Sequence, residues 1–78
     1  MRIISQDGEI NLPYEMTALL VSDNYIQAVF AGGIQQSPYV MAIYSTQDKL
    51  LSALDALDEK FIVGRGNGIF RFPENDEV

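Results

Sequence analysis

Three stretches of this chain are apolar at almost every position, and this feature constrains the fold most. They cover residues 17–22, 25–31 and 39–44, and their aromatic and β-branched side chains predict strands. A strand in an antiparallel sheet with one solvated face alternates apolar and polar residues. These stretches do not alternate, so we expect a sheet that needs cover on both faces.

Strict alternation divides the apolar side chains of these strands into two sets. One set contains Ala18, Leu20, Ile26, Ala28, Phe30, Met41 and Ile43. The other contains Leu19, Val21, Val29, Ala31, Val40, Ala42 and Tyr44. A helix of about fifteen residues is about 22 Å long and 10 Å wide, so one helix covers one such face.

A second subunit is therefore expected on the face that the helix leaves open. The predicted homo-oligomer, most simply a dimer, has Leu19, Val21, Val29, Val40 and Tyr44 in its interface. The alternative is that the first hairpin of the same chain folds over this face.

Turn residues place the other strands. Asp7-Gly8 separates residues 3–6 from 9–12 and predicts a two-residue hairpin turn. Asp23-Asn24 predicts a second hairpin turn, and a loop is expected from Gly32-Gly33 to Pro38.

One helix is predicted after the third apolar stretch. Ser45 is the expected N-cap, with Asp48 completing a capping-box-like pattern, and Gly64 is expected to end the helix in the left-handed conformation. The apolar face of this helix carries Leu50, Leu54, Leu57 and Phe61.

These elements predict an α+β fold of order β-β-β-β-β-α-β, with a small, mainly antiparallel sheet and the helix packed on one face. Residues 1–73 form the single predicted domain, and 74–78 an acidic flexible tail. In a competing interpretation, residues 61–65 and 69–72 form a hairpin over Asn67-Gly68, which shortens the helix.

Composition argues against most catalytic chemistry. The 78 residues include no histidine and no cysteine, so serine-triad, cysteine-histidine and zinc mechanisms lack their residues. We predict no catalytic residue, no metal site and no cofactor. Eleven acidic against five basic residues give a net charge of −6, which disfavours nonspecific nucleic-acid binding. No apolar run is long enough to span a membrane and the N-terminus does not resemble a signal peptide, so a cytoplasmic protein is expected.

The glycine-rich segment after the helix is the candidate ligand site. Glycines let backbone amides converge on a phosphate, and arginine supplies a fork of donors. Arg65, Gly66, Asn67 and Arg71 are therefore candidate nucleotide-binding residues, although a connector between helix and strand explains the glycines equally simply.

Tyr14, with its neighbour Glu15, is the candidate contact to a partner protein. It follows Pro13 in a segment of irregular structure, and tyrosine is a frequent interface anchor.

Four segments resemble a family of small proteins encoded mainly by bacteriophages and prophages of Gram-positive bacteria. They are Met1 to Gly8, Leu12 to Glu15, Met41 to Thr46 and the aromatic-Pro-acidic end from Phe70 to Glu77. Asn11 stands where the family more often has aspartate. The resemblance implies an accessory protein that acts by binding.

The expected function is that of a non-catalytic protein that self-associates and binds a host macromolecule, such as a host-defence component, in the host cytoplasm. The alternative is an oligomeric protein that sequesters a small nucleotide signal.

Overall fold

A computed structural model describes residues 1–32 and 37–78 of the chain. The described elements are β1 (Arg2–Ile4), β2 (Asn11–Pro13), a 3-10 helix (Tyr14–Met16), β3 (Thr17–Ser22), β4 (Tyr25–Phe30), β5 (Tyr39–Ile43), α1 (Gln47–Val63), β6 (Ile69–Arg71) and a second 3-10 helix (Asn75–Glu77). The α+β class and the predicted element order are confirmed. The predicted loop at 32–38 lies largely outside the described residues.

The strands form two three-stranded sheets, where the sequence predicted one. The first sheet has the order β2-β1-β6, with β1 antiparallel to β2 and parallel to β6. The second sheet is the antiparallel meander β3-β4-β5. β6 pairs with β1 and so belongs to the first sheet. Arg2 lies opposite Ile69, and Ile4 lies opposite Arg71.

The two predicted hairpin turns differ in length. Ser22 lies opposite Tyr25, so Asp23-Asn24 is a two-residue turn as predicted, and Asp23 has a φ of 52°. The first connection is longer, because β1 ends at Ile4 and β2 begins at Asn11. Within it, the Gly8 N–H donates to the Ser5 carbonyl, and Gly8 has the positive φ expected of a turn glycine.

The helix is longer than the competing hairpin interpretation allows, because it runs to Val63, and 61–65 is therefore not a strand. Its N-cap is Thr46, whose Oγ1 accepts the Lys49 N–H, so the prediction of Ser45 is wrong by one residue. At the other end Arg65 and Gly66 are left-handed, with φ of 53° and 78°, whereas Gly64 is right-handed. The prediction of a left-handed Gly64 is therefore also wrong by one residue.

One hydrophobic core joins both sheets and the helix. Its buried apolar residues are Ile3, Leu12, Ile26, Ala28, Met41, Ala42, Tyr44, Leu50, Ala53, Leu57 and Phe72. The Cα atoms of the described chain occupy 31 × 30 × 18 Å. The short dimension has room for two layers, since packed sheets alone are about 10 Å apart.

The C-terminal residues 74–78, predicted as an acidic tail, make hydrogen bonds to the rest of the chain. Asn75 accepts the Ser45 N–H at its Oδ1 and the Lys49 Nζ at its carbonyl. The Tyr44 hydroxyl donates to the Pro73 carbonyl at 2.8 Å. Burial, with the nearby carboxylates of Glu74 and Glu77, raises the pKa of Tyr44 to about 12. Tyr44 is therefore a neutral hydrogen-bond donor at physiological pH.

No helix among the described residues combines the length and the apolar run needed to cross a bilayer.

Candidate binding surface

The Asp23-Asn24 turn determines which side chains share a face of the second sheet. It places Ala18 opposite Val29, Leu20 opposite Gln27 and Ser22 opposite Tyr25. Residues directly opposite each other in an antiparallel pair lie on the same face. The prediction that grouped Ala18 and Leu20 with Ile26 and Ala28 is therefore wrong, because the latter two lie opposite Val21 and Leu19.

A bulge in β5 changes the alternation of the third strand. Ala42 lies opposite Ile26, but Val40 lies opposite Gln27, so Met41 is an extra residue. Met41 and Ala42 are both buried, and Ile43, which lies opposite Tyr25, is exposed. The predicted separation of Val40 from Ile43 is therefore wrong.

The face that points away from the core is apolar and exposed; we refer to it as the outer face. Leu20 is 46% exposed, Ile43 is 51% exposed, and the opposite face of the same strands contains the fully buried Ile26 and Ala28. Among the described strand residues the outer face carries no charged side chain. Its members are Ala18, Leu20, Ser22, Tyr25, Gln27, Val29, Val40 and Ile43.

The structure divides the five predicted interface residues. Val29 and Val40 lie on the outer face and are exposed. Leu19 packs against the core, and Val21 is exposed on the inner side of β3. Tyr44 is 2% exposed, so its side chain is too deeply buried to contact a second subunit.

The first hairpin does not cover the outer face. It belongs to the first sheet, and its Ile3 and Leu12 side chains lie in the common core. The alternative in which this hairpin shields the second apolar face is therefore wrong.

The two edge strands of the second sheet, β5 and β3, differ in their hydrogen-bond partners. At β5, the Gln6 N–H donates to the Met41 carbonyl at 2.7 Å. The Gln6 side-chain amide accepts the Ile43 N–H at 3.0 Å and donates to the Ile43 carbonyl at 3.2 Å. Gln6 thus occupies the β5 edge much as a neighbouring strand would, and its Nε2 also donates to the Pro73 carbonyl.

The β3 strand forms the opposite edge of the described sheet. It has six residues, Thr-Ala-Leu-Leu-Val-Ser, without a charge, a proline or a glycine. Charges, prolines and bulges are the usual devices that protect an exposed edge from pairing with another chain. β3 contains none of them.

The glycine-rich segment uses its backbone amides internally. The Gly66 N–H donates to the Phe61 carbonyl and the Arg65 N–H to the Ile62 carbonyl, which is a Schellman closure of the helix. The Gly64 and Asn67 amides donate to the Lys60 and Gly64 carbonyls. These four amides are therefore not directed at a phosphate.

The two candidate arginines lie in different environments. Arg71 donates from its guanidinium to the Gln6 carbonyl at 3.0 Å, beside the first turn. It also lines a depression of about 390 Å³ with Glu74 and Glu77, two carboxylates that repel an anionic ligand. Arg65 lies in the turn that closes α1, and the Met1 ammonium donates to the carbonyl of the neighbouring Gly66 at 2.7 Å. The hydrogen bonds of the candidate residues thus do not bring Arg65 and Arg71 together around the backbone amides of the glycine-rich segment, as the predicted nucleotide site requires.

Tyr14 and Glu15 have partners within the chain. The Tyr14 ring is 5.2 Å from that of Phe61, centroid to centroid. The Glu15 carboxylate accepts from the Met1 ammonium at 2.8 and 3.1 Å. This hydrogen bond lowers the pKa of Glu15 from its ordinary value. Both residues therefore have a structural role in fastening the first 3-10 helix.

Acidic residues are dispersed over the described surface. No group of three or more histidine, cysteine, aspartate or glutamate side chains in residues 1–32 and 37–78 is arranged to hold a metal ion.

Sequence reasoning did not assign the correct residues to the outer face or single out the β3 edge. It lacked two facts, the register of β3 against β4 and the bulge at Met41. A usable signal was present for the register: a two-residue turn at Asp23-Asn24 requires Ala18 to share a face with Val29.

The fold and this surface define a small α+β protein with one apolar sheet face that the described residues leave uncovered. Comparison with models of protein families, with curated proteins and with solved structures finds no match for this chain.

Proposed function

We propose that the protein is a non-catalytic, phage-type accessory protein that self-associates and binds a host macromolecule in the host cytoplasm. The observation that carries this proposal is the exposed outer face, apolar and uncharged among the described residues of β3, β4 and β5. Large exposed apolar patches on small proteins commonly mark interaction sites. The resemblance to phage proteins supplies the host context.

The charge distribution indicates the chemistry of the partner. The net charge is −6, and the described strand residues of the outer face include no charged side chain. A partner with an apolar patch flanked by basic residues is therefore favoured, since complementary rims accelerate association and exclude partners of like charge. A host protein, such as a defence component, fits this description better than a nucleic acid or an anionic membrane.

Tyr25 is the expected anchor of this contact. It is the aromatic member of the outer face and lies opposite Ile43. Tyrosine is enriched among the residues that dominate binding energy, because its ring contributes a large contact area with a polar end.

Sequestration of a nucleotide signal has less support. The amides of the glycine-rich segment are engaged within the helix closure, and Arg71 lies beside Glu74 and Glu77.

The test is affinity capture with matched variants of the immobilised protein. Val40→Glu introduces a charge on the outer face, whereas Ser52→Glu introduces the same charge on the exposed side of α1. We expect a host protein, identified by mass spectrometry, to be retained by the wild type and by Ser52→Glu and to be lost with Val40→Glu. For Tyr25→Ala we expect an affinity about thirtyfold weaker, as for a hot-spot tyrosine.

Two further outcomes would contradict the proposal. Equal retention by all four proteins would place the contact elsewhere, and the absence of any specifically retained protein would remove the binding function. Raising the salt concentration should slow association, since the basic rim of the partner is attracted to an acidic protein.

A further inference from the structure

The hydrogen-bonding groups on the outer side of β3 are directed away from its sheet. In a two-residue hairpin the flanking pair, here Ser22 and Tyr25, is hydrogen-bonded, and every second pair after it is bonded too. The Ala31 N–H donates to the Met16 carbonyl, which continues this series beyond the strand. The main-chain groups of Leu19 and Val21 therefore point outward from the sheet.

Local structure already occupies the beginning of this edge. The Thr17 N–H donates to the Tyr14 carbonyl, and its Oγ1 donates to the Pro13 carbonyl. Among the described residues, Leu19 and Val21 are the two positions of β3 whose N–H and C=O groups remain for a further strand.

We propose that two copies of the chain join through their β3 strands, paired antiparallel about a two-fold axis at Leu20. This inference rests on the self-association in the proposed function and specifies its geometry. In this register Leu19 of each copy bonds Val21 of the other, and the two Leu20 side chains meet on the outer face. The result is a six-stranded sheet of order β5-β4-β3-β3-β4-β5.

A second copy fits this edge for three reasons. An antiparallel pair of identical strands is self-complementary, as a two-fold interface requires. β3 carries no charge, so the acidic residues of two copies are not brought together on the paired strands. The β5 edge is occupied by Gln6, so the pairing ends at two copies and does not continue into a fibre.

The pairing also enlarges the outer face. Three strands of five or six residues have a footprint of about 14 by 20 Å, which is small beside the roughly 800 Å² that each partner buries in a standard interface. Two sheets joined at β3 give a continuous apolar face of about twice that width.

Single cysteines test the geometry, because the chain contains no cysteine. Leu20→Cys places two thiols opposite each other across the two-fold axis, at a Cβ separation of about 5 Å. Val29→Cys is the matched control on the same face, but the two β4 strands are three strand spacings apart, about 14 Å. Under mild oxidation we expect a disulfide-linked dimer with Leu20→Cys and none with Val29→Cys.

Lysine substitutions at the same two positions give an independent measurement. Leu20→Lys sets two like charges against each other, so we expect sedimentation to show a dimer dissociation constant raised by about tenfold or more. Val29→Lys adds the same charge to each copy and should leave dimerisation unchanged. Both side chains are exposed, so neither change buries a charge in the free protomer.

Three results would overturn the inference. A dimer crosslinked through Val29→Cys and not Leu20→Cys indicates pairing face to face, which leaves the proposed self-association intact but refutes this geometry. Open-ended polymers refute the closed pair. A monomer at all micromolar concentrations refutes self-association itself, whereas the capture experiment with Val40→Glu reports separately on partner binding.

Discussion

At the scale of single residues, the closure of α1 depends on a residue that is poorly suited to its backbone conformation. Arg65 has a φ of 53°, a left-handed value that costs roughly 1 kcal/mol or more for residues with a Cβ. Glycine commonly occupies this position in a Schellman closure. Glycines flank Arg65 on both sides, so the sequence alone could not show that Arg65 and Gly66, rather than Gly64, are the left-handed residues.

We expect Arg65→Gly to raise the free energy of unfolding by about 0.5–1 kcal/mol, because relief of the left-handed strain exceeds the added freedom of the unfolded chain. Urea denaturation measures this change. Gly64→Ala is the control in the opposite direction, since its Cβ would lie 2.8 Å from the Asn67 carbonyl oxygen. A lower stability of Arg65→Gly would show that the guanidinium itself holds the segment.

The Glu15 carboxylate gives the protein a defined acid sensitivity. Its hydrogen bond with the Met1 ammonium lowers its pKa from 4.5, so the folded state binds this proton less readily than the unfolded state. The stabilisation is therefore complete above about pH 4.5 and is lost as the pH falls through the lowered pKa.

We expect Glu15→Gln to lower the melting temperature at pH 7, because the ammonium loses its charged acceptor, and to have a smaller effect near pH 3. Glu9→Gln, which neutralises an exposed carboxylate in the first turn, is the matched control and should change the melting temperature less. An equal loss at both pH values for Glu15→Gln would show that packing, not the ion pair, is responsible.

At the scale of elements, Gln6 connects the two sheets. Its side-chain amide bonds both main-chain groups of Ile43 and also the Pro73 carbonyl next to the first sheet. One side chain therefore protects an edge and fixes the position of one sheet against the other.

We expect Gln6→Ala to lower the free energy of unfolding by about 1–3 kcal/mol, because the β5 edge loses its side-chain partners. Hydrogen exchange should accelerate at the Ile43 amide, and association beyond a dimer should appear at high concentration. Gln47→Ala, whose amide is 3.5 Å from the Asp23 carbonyl, is the control. Unchanged exchange at Ile43 in Gln6→Ala would contradict the role assigned to this side chain.

The elements themselves were largely predictable, whereas their faces were not. The Leu50, Leu54 and Leu57 spacing identifies α1, and turn residues identify the hairpins, since these are local signals. The Met41 bulge shifts the alternation by one residue, and no local preference of methionine indicates it. The partition into two sheets follows from a pairing of β1 with β6 across the length of the sequence, which local patterns do not contain.

At the scale of the whole molecule, the prediction of two apolar sheet faces is confirmed, although the residues on each face differ from those predicted. The inner face of the second sheet is covered by the common core, and the outer face is not covered by the described chain. The described residues contain a core of 11 buried apolar side chains, and none of these lies on the outer face. The candidate ligand segment was predicted from glycine content, and its structural role in ending α1 explains those glycines.

The parallel pairing of β1 with β6 has a consequence for the order in which the molecule is built. The meander β3-β4-β5 is made of neighbouring segments, whereas Ile3 pairs with Phe70 from nearly the opposite end of the sequence. Contacts between residues so distant in sequence form slowly. Closing the long loop costs conformational entropy before the contacts themselves contribute any stabilising energy. We therefore expect the meander to form early with both of its faces exposed, so that in the proposed dimer the β3 strands of two chains could pair before β1 and β6 do.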